Sequence, residues 1–343
     1  MQQQYFIRKD GAVDHLKWNE LIACSTFSTP FQTKTYYDFC NTTSGIKAEV
    51  FAIENNKGDY EALCLATIQK ERGLKSYFSG RAIIYGGPVL SEDCNEEALS
   101  FLLETIQKEL KNKVIYIEIR NFKNYQKYST IFKKHEWSYI PYLNVKVDLF
   151  NKSLDTLLSS FNYNRRREIK MTLKAGISYC EAVLESEIKT IYTILKELYK
   201  KRIGLPIPSL DYFINFWKSG LMKVFAVKDG ERIVGGAFCV VLKNEAIFTF
   251  YYCGVRDYKP KTYPTHLAVL AAVDYGIKHG LKYLDFMGAG QPEIEYGVRK
   301  YKMEFGGELV EEGRYLLVTK KLLYRLGASL IGFLKRRRMN STR

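Results

Sequence analysis

The stretch YGVRKYKMEFGGEL, residues 296–309, brings aromatic rings, basic side chains and paired glycines within a few positions of one another. It follows a second glycine cluster, FMGAG, at residues 286–290. A cation fixed beside a reacting carbonyl stabilises the negative oxygen of a tetrahedral intermediate, which is often the largest single contribution to catalysis of acyl transfer. Lys302 and Arg299 have the chemistry for that role or for binding a charged substrate. The alternative is an exposed position on an amphipathic helix, where most lysines lie.

Three further features lie near this stretch. Asp285 ends the predicted strand KYLDF, and ligands of α/β sheets gather beyond strand ends, so its carboxylate could orient an amine or cap nearby backbone. Gly288 and Gly290, in GAGQPE, present N–H groups that could hold an anion. Tyr252, in the predicted strand AIFTFYYCG, could donate a proton to a leaving group or could be a buried strand aromatic.

The loop GVRDYKPKTYPTH, residues 254–266, carries a second set of candidates. Arg256, Lys259 and Lys261 could hold phosphate groups by charge. The N–H groups near Thr265 lie at the start of a predicted helix, where anions bind readily. This loop could therefore bind a phosphorylated ligand.

Arg165, Arg166 and Arg167 begin another predicted helix, where positive charges oppose the helix dipole. An anionic partner would compensate that cost, whereas a solvated basic turn would not require one. The formal net charge of +15, from 52 basic and 37 acidic residues, also favours an anionic partner: nucleic acid, a phosphorylated metabolite or lipid headgroups.

Several function classes are disfavoured. The seven cysteines form no C-x-x-C pair, which favours a reducing compartment over a disulfide framework or zinc site. No spacing of histidines and carboxylates is typical of a metal site, and no Ser-His-Asp order supports a covalent nucleophile. The first residues lack the apolar run of a signal peptide, and no stretch approaches the length of a membrane span. We expect a cytoplasmic protein without metal or tightly bound cofactor.

The hydrophobic pattern places these residues in a repeated architecture. The second half reads as strand, two helices, a three-strand meander, helix, strand, helix and strand, with Asp229-Gly230 as a hairpin turn. The first half repeats that order. A chain of 343 residues is long enough for two cores. We predict an α/β (α+β) protein with two domains, 1–149 and 150–343, each a mixed, mostly antiparallel sheet flanked by helices.

A meander followed by helix, strand, helix and strand is the order of the GNAT acyltransferase fold, and two such units resemble the Fem family of bacterial aminoacyltransferases. Two departures are Gly86-Gly87-Pro88, where the family usually has Arg before Gly-Pro, and the lack of a long coiled-coil arm. The segments that carry the resemblance are STPFQTKTYYDF, IIYGGPVL, YNRRREIKMTLKAGI and GLKYLDFMGAG followed by YGVRKYKMEFGGEL.

The resemblance implies transfer of an aminoacyl group from aminoacyl-tRNA to an amine of a peptidoglycan or other envelope glycan precursor, nucleotide- or lipid-linked. It implies catalytic positions at Tyr301 and Lys302 and substrate contacts at Gly87, Pro88 and the Arg-rich helix. It also implies that residues 254–266, with Arg256, Lys259, Lys261 and Thr265, bind the acyl donor, because acetyl-CoA enzymes of this fold hold pyrophosphate at the corresponding loop. We expect the first domain to contribute binding more than chemistry.

Two alternatives stay open at this point. An acetyl-CoA-dependent N-acetyltransferase acting on an amino sugar belongs to the same class, although the Arg/Gln-x-x-Gly-x-Gly/Ala signature of acetyl-CoA sites is absent from residues 254–266. A non-catalytic module that binds RNA or a phosphorylated glycan belongs to a different class.

The C-terminal sequence KKLLYRLGASLIGFLKRRRMNSTR predicts an amphipathic helix followed by a basic cluster. Such a helix lies on anionic lipid, which predicts peripheral contact with the inner face of the membrane through residues 320–338. A terminal helix packed on its own domain is the alternative. The residues on its apolar face are Leu322, Leu323, Leu326, Leu330, Phe333 and Leu334.

Overall fold

The structure, a computed structural model, describes residues 4–70 and 80–327. The chain forms two compact units. The first comprises the residues up to Pro141 together with those from Glu312 onward, and the second is Tyr142–Glu311. The boundary therefore differs from the predicted 149/150, and the chain returns to its first unit near the end.

The first unit contains a sheet in the order β1-β2-β3-β4-β6-β15-β7, with β5 paired to β3. Helix α3 begins at the cap Asn95, and its apolar face, which includes Leu102 and Ile106, packs against β2 and β3. The elements of this unit before the boundary are β1 (Phe6–Lys9), α1 (His15–Cys24), α2 (Lys34–Thr42), β2 (Ile46–Glu54), β3 (Tyr60–Gln69), β4 (Arg81–Gly86), β5 (Val89–Leu90), α3 (Glu96–Leu110), β6 (Tyr116–Asn121), α4 (Ser129–Lys134) and β7 (Ser138–Ile140).

The second unit contains a sheet in the order β14-β8-β13-β12-β11-β10-β9. Its elements are β8 (Leu143–Asp148), α5 (Leu154–Ser160), α6 (Tyr163–Lys174), β9 (Ile177–Glu181), α7 (Glu185–Leu198), α8 (Leu210–Lys218), β10 (Met222–Asp229), β11 (Arg232–Leu242), β12 (Ala246–Gly254), α9 (Pro264–Lys278), β13 (Tyr283–Asp285), α10 (Gly297–Met303) and β14 (Glu308–Glu311). The chain then adds β15 (Arg314–Val318) to the first sheet.

Two strands explain the corrected boundary. Strand β8, predicted to end the first domain, instead pairs with β13 and β14, because its buried Val145 and Val147 belong to the core of the second unit. Strand β15, predicted to end the second domain, instead lies between β6 and β7, where the ring of Tyr315 stacks on Phe132 with centroids 3.8 Å apart.

The meander β10-β11-β12 is antiparallel, whereas β13 is parallel to β12. This parallel pairing covers only Ala246–Phe248 opposite Tyr283–Asp285, although β12 continues beside β11 to Gly254. Strand β12 therefore continues past the carboxyl end of β13, and ligands of α/β sheets bind beyond such strand ends. In the first unit the parallel pair β4 and β6 stays together over six residues, Arg81–Gly86 opposite Tyr116–Asn121.

Helix α9 begins next to the end of β12, and most of its residues are buried. Its first residue is Pro264, which suits a helix start because proline lacks the N–H that would have no partner there. No helix among the described residues is both long and apolar enough to cross a membrane.

Candidate active site

Lys302 lies near the end of α10 and is only 6% exposed. Its Nζ donates to the carbonyl oxygens of Phe286 at 2.6 Å and Gly288 at 2.5 Å. An ammonium group has three N–H donors. The third has no hydrogen-bond partner among residues 4–70 and 80–327. Lys302 is therefore not the exposed helix lysine of the alternative interpretation.

The turn after β13 presents those two carbonyls because its backbone is unusual. Met287 has φ 56° and Gly288 has φ 99°, and the left-handed region is unfavourable for a side chain such as methionine. Such strain persists only where the surrounding structure compensates for it. The Met287 N–H donates to Asp285 at 2.6 Å, and the Gly288 N–H donates to Oδ1 of Asn144 at 2.8 Å.

Asp285 lies beneath this turn and is fully buried. Nδ2 of Asn144 donates to both of its carboxylate oxygens, at 2.8 and 2.9 Å, and Lys146 Nζ lies 3.9 Å away. Burial raises the pKa of Asp285, and the charge of Lys146 opposes that rise. The structure thus places Asp285 where it fixes the turn that holds Lys302.

The two glycines that were predicted to bind an anion, Gly288 and Gly290, instead contact other parts of the protein. The Gly288 N–H is occupied by Asn144, and the Gly290 carbonyl accepts from the Leu143 N–H at 2.8 Å. A Cβ at Gly290 would lie 3.1 Å from the Tyr296 ring. Sequence reasoning did not find Asn144, because it lies in a strand that was assigned to the other domain.

Burial controls the charge of Lys302. It lowers the pKa of this ammonium group to about 8, and Asp285 offsets part of the decrease. The group is therefore mainly charged at neutral pH and titrates just above it. A cation with this pKa can stabilise an oxyanion and is sensitive to small changes around it.

Tyr301 precedes Lys302 and points into a different cluster. Its hydroxyl lies 3.2 Å from Nδ1 of His266 and 3.5 Å from the Thr265 carbonyl. Its ring stacks on Tyr252 with centroids 5.8 Å apart, and Tyr252 also contacts the edge of Phe286 at 6.4 Å. Tyr252 and Tyr301 thus meet beyond the end of β13.

Burial raises the pKa values of Tyr252 and Tyr301 well above the usual value of a tyrosine. Both hydroxyls stay protonated at any physiological pH, so each can donate a hydrogen bond or a proton. The predicted catalytic residues Lys302, Tyr301 and Tyr252 are therefore brought to one end of the sheet, with Asp285 below them.

Arg165 is enclosed rather than exposed to ligand, with 4% of its surface accessible. Its guanidinium bonds to Glu304 and His266 and lies 3.6 Å from Glu168, and its Cζ lies 4.4 Å from the Tyr301 ring centroid. It joins α6, α9 and α10, which makes it a positioning residue. The sequence offered one signal for this network, a glutamate three positions after Arg165 on the same helix face.

His266 lies inside this network, and its Nε2 is 3.1 Å from Oε2 of Glu168. Burial, together with the charge of Arg165, lowers the pKa of His266 to about 3. The imidazole is therefore neutral, and it connects the charged cluster to the Tyr301 hydroxyl.

Arg299 holds the loop that follows β13. Its guanidinium donates to four carbonyl oxygens, those of Ala289 at 2.8 Å, Ile294 at 3.0 Å, Pro292 at 3.3 Å and Gln291. The structure places it within the loop, as a clamp, rather than with its donors directed to a substrate.

The residues that were predicted to bind the donor differ in their surroundings. Lys259 pairs with Asp229, whereas Arg256 and Lys261 are exposed. At the start of α9, Pro264 has no N–H and the His266 N–H donates to the Tyr263 carbonyl at 3.0 Å. A Cβ at Gly254 would lie 2.5 Å from the Thr265 nitrogen, so the end of β12 packs directly on this first turn. Few backbone donors remain there for a phosphate.

Arg166, unlike Arg165, lines a surface groove of about 570 Å³ between α5 and α6. Its Nη1 donates to the Ser159 carbonyl at 2.9 Å, which fixes the side chain at the groove. The groove has four basic residues and one acidic residue, and its lining comprises Asp155, Leu158, Ser159, Tyr163, Arg166, Arg167, Lys170, Met171 and Lys174. This composition suits an anionic ligand.

Gly87 and Pro88 lie in the first unit and are buried. A Cβ at Gly87 would lie 2.5 Å from the Tyr125 hydroxyl, which itself donates to the Pro88 carbonyl at 2.6 Å. Tyr125 thus fills the space beyond the end of β4. These positions pack against protein in the structure, whereas a substrate contact was predicted.

Two other expectations concern the C-terminus and metals. Residues 321–327 are helical, with Leu322 72% and Leu326 55% exposed, and the rest of the predicted lipid-binding helix lies outside the described residues. Within the described part of the chain, no group of three or more His, Cys, Asp or Glu side chains could hold a metal ion.

Residues 159–303 match the model of a protein family described as acetyltransferase (GNAT) domain. This segment contains β12, β13, Arg165 and Lys302. Residues 159–303 are therefore a GNAT domain. The chain is an acyltransferase. No curated protein matches its sequence.

Solved structures extend the likeness over nearly the whole chain. FemX is 16% identical with a TM-score of 0.73, over 93% of this chain and 99% of that one. A tandem GNAT protein from the clavulanic acid biosynthesis pathway is 8% identical with a TM-score of 0.59, over 92% and 99%. The C-terminal domain of a putative lysylphosphatidylglycerol synthetase from Agrobacterium fabrum is 12% identical with a TM-score of 0.56, over 91% and 97%. At these identities the likeness shows the fold, and the predicted Fem-like GNAT fold class is confirmed.

Proposed function

We propose that this GNAT protein transfers an aminoacyl group to an amine of an anionic cell-envelope precursor, a peptidoglycan or other glycan intermediate. The observation that carries the proposal is the buried Lys302 ammonium, which two carbonyls hold at the end of β13 with one N–H left for a substrate. It lies on the same short helix as Tyr301, whose ring stacks on Tyr252.

The reaction is a direct displacement. The neutral acceptor amine attacks the acyl carbonyl carbon of an aminoacyl ester, and a C–N bond forms as the carbonyl oxygen becomes an oxyanion. The free N–H of Lys302 stabilises that oxygen. The C–O bond to the donor then breaks. The leaving oxygen takes a proton from a tyrosine hydroxyl, Tyr252 or Tyr301, which regains one from the attacking nitrogen. Holding both substrates in one place supplies much of the remaining rate increase.

The start of α9 supports aminoacyl-tRNA as the donor over acetyl-CoA. A pyrophosphate held at a helix N-terminus needs several free N–H groups. Here Pro264 supplies none, and the His266 N–H is already bonded. The exposed Arg256 and Lys261 can still contact a nucleic-acid backbone by charge.

The groove beside Arg166 supports an anionic acceptor. Its basic side chains come from one helix, α6, and lie around a volume of about 570 Å³. Phosphate groups of a nucleotide- or lipid-linked precursor match this charge. The first unit would add binding rather than chemistry, since the Tyr125 side chain fills the space beyond the end of β4. A precursor of this kind places the protein in the cytoplasm, with residues 320–338 in contact with the inner face of the membrane.

A second candidate is an acetyl-CoA-dependent N-acetyltransferase acting on an amino sugar. The end of β13 opposite Phe248, while β12 continues to Gly254, favours it, because in the GNAT fold the acyl donor enters between these two strands. The chemistry at Lys302 would be the same, and the donor alone distinguishes the two reactions.

Donor binding and transfer, measured with charged tRNA and with acetyl-CoA, test the proposal. We expect saturable binding of charged tRNA by the wild type and by Lys302→Ala, with transfer reduced about 10²- to 10³-fold in the variant. Lys300→Ala is the matched control, since Lys300 is exposed on the same helix.

Three results would count against the proposal. Saturable acetyl-CoA binding and acetyl transfer without a preference for charged tRNA would favour the second candidate. Full transfer activity in Lys302→Ala would remove the proposed role of this residue. Ligand binding without transfer of either group by the wild type would favour a protein that only binds these ligands.

A further inference from the structure

A protruding segment follows helix α7 in the second unit. Residues Tyr199–Ile203 form a π-helical turn that ends at Gly204, whose φ is 70° and whose N–H donates to the Tyr199 carbonyl at 2.7 Å. Every residue from 200 to 206 is exposed. Single π turns occur frequently at functional sites.

The base of this segment is fixed on both sides. The Tyr199 ring packs edge-on against Tyr251 of β12, with centroids 5.7 Å apart. The Tyr192 hydroxyl donates to the Pro208 carbonyl at 3.0 Å. The base of the segment is therefore anchored to the rest of the unit, whereas its tip is exposed to solvent.

The composition of the tip is unusual for an exposed surface. Ile203 is 44% exposed and Leu205 is 60% exposed, and Pro206 follows them. Lys200, Lys201 and Arg202 come directly before, and no acidic residue lies between Glu197 and Asp211. Lys201 pairs with Glu197 at 3.0 Å, which leaves Lys200 and Arg202 as the cations for an external partner.

We infer that residues 200–206 bind the surface of a bilayer that contains anionic lipids, with Ile203 and Leu205 inserted below the headgroups. A bilayer boundary offers apolar and anionic material at adjacent depths, and this tip presents aliphatic side chains next to cations. Nucleic acid would match only the cations, because its phosphates gain nothing from exposed aliphatic side chains. This inference goes beyond the proposed function and does not depend on the donor or the acceptor. It also concerns a different surface from the predicted C-terminal helix.

Flotation of the full-length protein with lipid vesicles tests the inference. Vesicles of equal parts phosphatidylglycerol and phosphatidylcholine are compared with vesicles of phosphatidylcholine alone. Removing both cations, by Lys200→Gln with Arg202→Gln, should weaken binding to the anionic vesicles by about fivefold for each charge. Replacing Ile203 and Leu205 by serine should weaken it by at least about tenfold.

The matched apolar control is Val183→Ser with Leu184→Ser, which removes aliphatic side chains that are 65% and 58% exposed elsewhere in the same unit. The charge control is Lys57→Gln with Lys243→Gln, at two exposed turns. Neither control should change vesicle binding. Far-ultraviolet circular dichroism confirms that each variant is folded.

A tryptophan at the tip reports insertion directly. The fluorescence of Ile203→Trp should shift to the blue on addition of anionic vesicles and should be quenched by brominated lipid. Wild-type vesicle binding by both tip variants would overturn the inference and assign membrane binding to the C-terminal residues. Loss of tRNA binding without loss of vesicle binding would overturn it in favour of RNA.

Discussion

Raising the pH through the titration of Lys302 should reduce turnover and increase folding stability. Burial lowers the pKa of this residue from 10.5 to about 8, and Asp285 opposes part of the decrease. Below that pH the charged ammonium can hold the oxyanion, whereas the neutral amine above it is a weaker donor. We expect turnover to fall about tenfold for each pH unit above the pKa, because the charged fraction falls by that factor.

Stability changes in the opposite direction. In the unfolded chain Lys302 has its ordinary pKa of 10.5, so between about 8 and 10.5 the unfolded chain carries a proton that the folded chain has lost. Stability rises with pH wherever the unfolded state binds more protons. A pKa difference of this size corresponds to roughly 3 kcal/mol, at about 1.4 kcal/mol per pH unit. The gain begins near the folded pKa and is complete above the unfolded one.

Lys302→Met isolates this effect, because methionine has a similar length and does not titrate. Urea unfolding of wild type and variant is measured between about pH 7 and pH 10. The stability of the wild type relative to the variant should increase over that range, while the contributions of other titrating groups cancel. Turnover of the wild type is followed over the same range with both substrates saturating. A stability difference that stays constant with pH, together with undiminished turnover at the alkaline end, would show that Lys302 neither titrates in this range nor acts as a cation in the reaction.

Three further predictions concern residues that support the site. Arg299→Lys should reduce transfer several-fold and increase amide exchange across the loop after β13, because one ammonium cannot replace four hydrogen bonds to carbonyls; exchange equal to that of the wild type would contradict this. Asn144→Ala should lower stability by about 2–4 kcal/mol in urea, since it leaves Asp285 buried with fewer donors. The exposed Asn164→Ala is its control, and an equal loss in both variants would argue against the role of Asn144. Gly87→Ala should lower the melting temperature without changing ligand affinity in the second unit, because its φ is 87° and a Cβ would meet Tyr125; an unchanged melting temperature would contradict it.

The sequence was sufficient for the fold class because its strongest signals are local. The Asp229-Gly230 turn, the apolar period of α7 and the cap Ser209, which precedes α8, each act within a few residues. The order of elements then determined the fold family. The domain boundary depends on strands that pair far along the chain, and local patterns contain no information about such partners. Val145 and Val147 alternate with polar residues along β8, and this pattern would be the same in either sheet.

The candidate site shows the same limit at the level of single residues. Lys302 was found because the aromatic-lysine pair resembles a family motif, and its burial at the end of a strand agrees with that choice. Arg299 was assigned to substrate on charge, and Arg165 on charge and on the resemblance of its helix to a family segment. Their partners, Glu304 for one and four carbonyls for the other, are visible only when the helices are packed. A basic residue near a site is a ligand contact only if nothing in the protein already occupies its donors.

Tyr301 and Lys302 are neighbours on helix α10, yet their side chains have different surroundings. Adjacent positions on a helix point in different directions, so Tyr301 faces the Arg165 network while Lys302 faces the turn after β13. Burying Lys302 costs stability, and the carbonyls that hold it are available only because Asn144 and Asp285 stabilise an unfavourable turn. The Arg165 network fixes the helix from the other side. Substitutions in either cluster should therefore reduce transfer by displacing Lys302, even though neither cluster contributes the free N–H.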